Sequence, residues 1–313
     1  MTSPHDSTPA DPRVEAAREY ARPEPSGRHP HLTGILLMCL GLVLINTSDA
    51  IGKLMTEELP IFEIVLFQSV GLILLAMVVA RQPNPIRLMV TPDPWQQGLR
   101  ALFQTASGLC FFAGLKVLAF ADLVAILFIG PLVVSAMAHV VLGEHVGPRR
   151  WAACVVGLVG ALVIVRPGLD GLGWAAIWPV GAVVFWSAYI ILTRRISARN
   201  TTPSLMIWAA LASFVIMACA SPWYWETPQG WQWVALITIA LLSAASNGIT
   251  IRAFSIAPAS LLAPFSYLEI VGATAFGYFI WHHFPDGWTW AGTAIIVASG
   301  LYVYRREAMA ARP

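Results

Sequence analysis

The chain is dominated by ten apolar runs, each close to the roughly 20 residues that cross a ~30 Å hydrocarbon core, with only short polar pieces between them. The runs fall at about residues 32–54, 61–80, 97–117, 121–142, 150–166, 173–193, 203–221, 232–253, 259–281 and 287–304. Such spacing predicts an all-α polytopic membrane protein with ten transmembrane helices. The third and fifth runs are the weakest, because the third carries Arg100, Gln104 and Thr105 and the fifth has a short apolar core. Charged residues make up 12% of the sequence, against about 25% in a soluble domain, too few to cover a water-facing surface. No basic stripe with interleaved aromatics occurs, which argues against nucleic acid as a partner.

Residues 1–31 are polar and contain six prolines, so they predict a disordered tail. This tail has no apolar h-region and does not read as a signal peptide. Charge placement gives an orientation. With the N-terminus in the cytoplasm, 16 of the 19 Lys and Arg residues lie inside; Lys53, Lys116 and Arg166 alone lie outside. This predicts an inner-membrane protein with both termini cytoplasmic. Trp and Tyr residues at many run ends fit an aromatic belt.

The two halves resemble each other. Residues 121–142 align with 257–278, and 151–166 align with 290–305, where WAACVVGLVGALVIVR stands against WAGTAIIVASGLYVYR. Five spans per half is an odd number, so the second half is expected upside down. Inverted repeats place a solute site near the midplane and allow alternating access.

These stretches carry a family resemblance. Residues 118–168 resemble the end of a first EamA repeat through Asp122, Pro131, Leu142–Gly143–Glu144, Arg149–Arg150–Trp151, Gly157, Gly160 and Arg166–Pro167–Gly168. Residues 263–307 resemble a second repeat through Ala263–Pro264–Phe265, Tyr267, Gly277–Tyr278, Pro285–Asp286, Trp290, Gly292 and Arg305–Arg306–Glu307. The chain is thus similar to EamA members of the drug/metabolite transporter superfamily, most of all to S-adenosylmethionine uptake-type proteins. It departs from them at His282–His283 and Gln68. The resemblance implies a first repeat over 32–168, a second over 172–307, and a secondary transporter of a small organic metabolite.

Ionisable groups inside a bilayer are costly and so are functional candidates. Glu269 lies nine residues into the ninth run from Ser260, about 14 Å deep at ~1.5 Å per residue. A carboxyl at that depth favours a proton when occluded and ionises when it faces water or a cationic solute. Asp49 follows, with Asn46 on the same face; a pair with Lys53 at i+4 is the structural alternative. Glu63 is expected at a solvated mouth, and Arg100 is expected to snorkel to the surface. Gln104, Trp186, Tyr189, Asn247 and Tyr267 complete the candidate pocket, with Trp186, Tyr189 and Tyr267 expected to meet across the repeat interface. His139 is expected near a membrane surface. Pro131 and Pro264 are expected to kink their spans.

Four cysteines in separate runs read as buried apolar side chains. No HExxH, phosphate-binding Gly-Lys-Ser/Thr or GxSxG motif appears, so no catalytic residue, metal or cofactor is expected. The expected partners are a small-molecule solute and the lipid bilayer, with protons as the candidate coupling ion; a homodimer is compatible with this reading. A membrane-embedded enzyme and a non-transporting receptor or assembly partner remain as alternatives. The missing motifs count against the enzyme, and the lack of a sizeable soluble domain against the receptor.

Overall fold

The structure is a computed structural model that describes residues 30–142, 148–165, 173–197, 199–257 and 262–310. The proposed tail up to residue 29, the Gly143–Glu144 turn and Arg166–Pro167–Gly168 lie outside the described residues. In chain order the helices are α1 (Pro30–Met55), α2 (Ile61–Ala80), the short α3 (Pro85–Leu88), α4 (Pro94–Val117), α5 (Phe120–Leu127), α6 (Gly130–Leu142), α7 (Pro148–Val165), α8 (Ile177–Ser197), α9 (Thr202–Tyr224), α10 (Trp231–Ile256), α11 (Leu268–Trp281) and α12 (Gly287–Ala310). Single 3₁₀ turns, Gly173–Ala176 and Ala263–Tyr267, lead into α8 and α11.

The helix ends follow from local chemistry. Proline opens α3, α4 and α9, where its missing N–H would have had no partner anyway. Asn84 accepts from Ile86 N at 3.0 Å to cap α3. Past the end of α2, Arg81 takes the left-handed conformation (φ 50°) and closes the last turn onto Met77 O and Val78 O.

Six stretches among the described residues are long and apolar enough to cross a membrane by length and composition: Leu32–Met55, Ile61–Ala80, Phe120–Val141, Gly173–Ser197, Thr202–Trp223 and Trp231–Ile256. Trp151–Val165 is a shorter apolar helix. The protein is an all-α polytopic membrane protein. The fourth apolar run is interrupted rather than continuous. It breaks after Leu127, and Pro131 sits in the first turn of α6, where a missing N–H costs little. The ninth run is also divided, into the turn Ala263–Tyr267 and α11.

Each helix of the first half finds its main partner in the second. The most extensive pairings are α1 with α10, α2 with α9, α4 with α8, and α7 with α12. Exchanging the two halves maps this scheme onto itself. Little hydrophobic drive exists between helices in lipid, so close approach comes from small residues. In α7 and α12, Gly160 and Gly292 face each other; a Cβ on Gly160 would lie 2.9 Å from Gly292 O. Where α1 and α4 end and α5 begins, Met55, Leu59, Ile64, Phe112, Leu115, Phe120 and Leu123 form a dense apolar core.

Candidate solute-binding site

Among the described residues nine helices (α1, α2, α4, α5, α6, α8, α9, α10 and α11) line a central cavity of about 510 Å³, while the α7–α12 pair stays outside it. Apolar walls come from Phe111 and Phe112 on α4, Phe128 after α5, and Trp186 on α8. Polar groups enter from Asp49 on α1, Gln68 on α2, Gln104 on α4, Asn247 on α10 and Glu269 on α11.

Asp49 is 7% exposed and has no hydrogen bond or ion pair among the described residues. Glu269, in the first turn of α11, likewise has none, and it lies within electrostatic reach of Asp49. Gln104 Oε1 is buried without a partner. Asn247 donates Nδ2 to Ser243 O at 2.8 Å, one turn back on its own helix.

Lys53 does not turn toward Asp49. Its Nζ donates to Leu115 O at 2.5 Å and Leu118 O at 2.6 Å, at the C-terminal end of α4, and lies 5.4 Å from the centre of the Trp281 ring. These carbonyls are the unsatisfied end of a helix, where a cation is favoured. The i, i+4 pairing anticipated from sequence is therefore replaced by a tie between α1 and α4.

Arg100 does not snorkel. It is fully buried; it donates from Nε to Gln97 Oε1 at 3.2 Å, from Nη1 to Thr193 Oγ1 at 3.2 Å and from Nη2 to Leu205 O, joining α4, α8 and α9. Its guanidinium covers the Tyr189 ring at 5.0 Å. Glu63 is not solvated either. It is 1% exposed; its Oε1 accepts from Glu226 N at 2.7 Å, and its Oε2 has no partner. In each case depth along the helix was readable from sequence, but the face was not.

Three sequence candidates sit behind the cavity wall. Asn46 packs against Gly272 of α11 and donates to Leu42 O at 2.9 Å. Tyr189 stacks on Trp186 at 5.0 Å, between that indole and Arg100. Tyr267 packs edge-on against Phe128 at 5.3 Å, with its hydroxyl close to Gly300 of α12. Trp186 and Tyr189 thus meet each other, while Tyr267 meets Phe128 instead. His139 is exposed and lies edge-on to Trp151 at 5.7 Å. The four cysteines are free thiols but none is fully buried: Cys39, Cys110 and Cys154 are half-buried and Cys219 is exposed. Among the described residues no three metal-ligating side chains converge.

Gln68, Phe111 and Phe128 line the cavity without having been singled out for it. Gln68 carried the available signal, an amide in the middle of an apolar helix; the phenylalanines carried none.

A model of the EamA-like transporter family matches residues 32–166 and 173–305. The chain belongs to the EamA-like transporter family. This EamA-like protein is 26% identical to an S-adenosylmethionine uptake transporter of Rickettsia felis, over 88% of this chain and 94% of that one. It is 28% identical to a riboflavin transporter of Rhizobium johnstonii, over 70% of this chain and 73% of the relative. A pseudopaline exporter of Pseudomonas aeruginosa is 25% identical over 88% of this chain and 97% of its own. A solved crystal structure superposes with a TM-score of 0.59 at 20% identity, covering 87% of this chain and 98% of that one, which shows the shared fold. The protein is a membrane transporter and not an enzyme.

Proposed function

We propose that this EamA-like protein is a secondary transporter that moves a small amphiphilic organic metabolite across the inner membrane by alternating access. The observation that carries this reading is the central cavity, walled by aromatic rings and entered by two carboxyls that have no hydrogen-bond or ion-pair partner among the described residues. At about 510 Å³ it has the size and mixed lining of a small-molecule site. Relatives named for riboflavin, S-adenosylmethionine and pseudopaline support an organic cargo of metabolite size.

In this reading ten spans form two inverted repeats over residues 32–168 and 172–307, with both termini cytoplasmic. The self-mapping helix pairs and the 16 to 3 charge split support this layout. Glu269 is the main charged group of the cycle and Asp49 the second, with protons as the coupling ion. The lack of any partner for either carboxyl among the described residues supports a working role over a packing role.

Flux into proteoliposomes tests the transport reading. Saturable uptake of a labelled metabolite without ATP is the expected result; uptake that needs ATP would overturn it. Reporter fusions after residues 90, 147 and 198 and at the C-terminus should all read as cytoplasmic, and a periplasmic signal at 198 would break the layout.

A further inference from the structure

The polar groups lining the cavity differ in what they have left to offer. Most of its hydroxyl donors are already engaged within the protein. Ser107 donates to Ala182 O at 2.9 Å, Ser243 to Ile239 O at 2.7 Å, and Ser246 to Gly41 O at 2.8 Å. Thr105 and Ser213 share a bond of 2.6 Å. Asn247 spends one of the two N–H groups of Nδ2 on Ser243 O and keeps the other beside its oxygen. Gln104 Oε1 is an orphaned acceptor, and the two carboxyls supply acceptors alone when ionised.

Among the described residues no Lys, Arg or His lines the cavity. The two nearby buried cations are engaged elsewhere, Lys53 by the Leu115 and Leu118 carbonyls and Arg100 by Leu205 O and Thr193. Asp49 is more than nine-tenths buried, unpartnered and directed into this space. The amides of Gln68, Gln104 and Asn247 bring donors as well as acceptors, so the two carboxyls set the balance: they bring negative charge into the cavity, and no positive charge among the described residues that line it offsets them.

We infer that the solute of this cavity is an organic cation whose charged end donates several hydrogen bonds, such as an ammonium or a sulfonium beside an amine, joined to an apolar or aromatic body. The inference rests on the transport reading and narrows its cargo. The charged end sits between Asp49 and Glu269, where charge-assisted hydrogen bonds are strong. The body lies against Phe111, Phe128 and Trp186, whose ring faces also attract cations. A neutral solute could hydrogen-bond these groups but would leave the negative charge of the carboxyls uncompensated, and an anionic one would be repelled.

Matched probe pairs test this on the purified protein: S-adenosylmethionine against S-adenosylhomocysteine, which keeps the amino-acid ammonium and carboxylate but replaces the sulfonium by a neutral thioether, and an arylethylammonium against the corresponding alcohol, with riboflavin as a further neutral probe. The expected result is that the cationic member binds about tenfold or more tightly than its partner, as one charged hydrogen bond provides. That preference should shrink in Asp49→Asn and in Glu269→Gln.

A measurement on the unmodified protein covers variants that fail to fold. The arylethylammonium stays charged between about pH 8 and about pH 5, so only protein groups change there. Asp49 and Glu269 are the ionisable residues lining the cavity, while Lys53, Arg100, Cys110 and Tyr267 on the packed elements face other partners. Acidification should weaken the ammonium and leave the alcohol unchanged. Equal or tighter binding of the neutral members, or a pH-independent ammonium affinity, would overturn the inference. If neutral probes win while proteoliposome flux persists, this inference fails and the transport reading stands. If binding is cation-selective but no flux occurs, the transport reading fails and the cation preference stands.

Discussion

The two ends of α4 and the cavity between them handle buried charge in opposite ways. At one end Lys53 is held by two backbone carbonyls and the Trp281 ring. Fifteen residues back along α4, about 22 Å away at ~1.5 Å per residue, Arg100 is held by one carbonyl, two polar side chains and the Tyr189 ring. Each cation is held by dipoles and an aromatic face, with no direct ion pair among the described residues, although the Glu57 charge lies within electrostatic reach of Lys53. Between these ends, Asp49 and Glu269 have no partner among the described residues. A buried charge without partners is expensive and persists where something else supplies them. This contrast supports the proposal that the cations serve the structure and the cavity carboxyls the transport cycle.

The largest effect should come from the carboxyls. Glu269→Gln keeps the shape but cannot ionise, and transport or its pH dependence should fall by about tenfold or more, the equivalent of one charge-assisted contact. Asp49→Asn should follow at a smaller magnitude. Both variants should purify as folded protein, because neither carboxyl bonds to the described scaffold. Normal flux with normal pH dependence in Glu269→Gln would end the comparison by making Glu269 a packing residue.

Next comes Arg100. Arg100→Met removes the charge and three donors at once, leaving Leu205 O and Thr193 without their partner. We expect a loss of about 2–4 kcal/mol in stability, read as a lower thermal midpoint in detergent. Arg100→Lys should recover only part, since an ammonium cannot cover the ring and serve three acceptors on α4, α8 and α9 together. An unchanged midpoint in Arg100→Met would show that the cation is not structural. Lys53→Met should act in the same direction with a smaller loss, about 1–3 kcal/mol, because water or the α4 turn itself can take over the two carbonyls.

The sequence made the helices legible because the apolar runs are long and sharply bounded; the run read at 61–80 is α2 to the residue. Pro131 pointed to a kink in the fourth run, but the position of the break, after Leu127, was not readable, because Phe128 and Ile129 are as apolar as their neighbours. The site was partly legible through polar residues inside apolar runs. That signal led to Asp49, Gln104, Trp186, Asn247 and Glu269, which line the cavity, and to Asn46, Tyr189 and Tyr267, which do not. Counting along a helix gives depth, whereas facing depends on which neighbour packs where. Arg100 illustrates the difference: its position near a helix end suggested the surface, yet α8 and α9 close over it.

The smallest effect is the sharpest test of the contrast between satisfied and bare charge. Glu63 is another carboxyl taken out of water, near the start of α2, but it does not line the cavity. Its Oε1 is tied to the Glu226 backbone N–H at 2.7 Å, which joins α2 to the segment between α9 and α10. Glu63→Gln keeps that acceptor, so stability should change by less than about 1.5 kcal/mol, the scale of one ordinary hydrogen bond. Transport should stay within about twofold of the unmodified protein, since less than about half a kcal/mol separates such rates. Glu63→Ala, which removes the acceptor, should cost about 1–3 kcal/mol by stranding a buried N–H, again with flux retained in the protein that folds. The pair of variants separates the tie from the charge. If Glu63→Gln instead lost transport as completely as Glu269→Gln, then ionisation at a carboxyl outside the cavity would matter as much as ionisation within it, and facing the cavity would no longer distinguish a working carboxyl from a structural one.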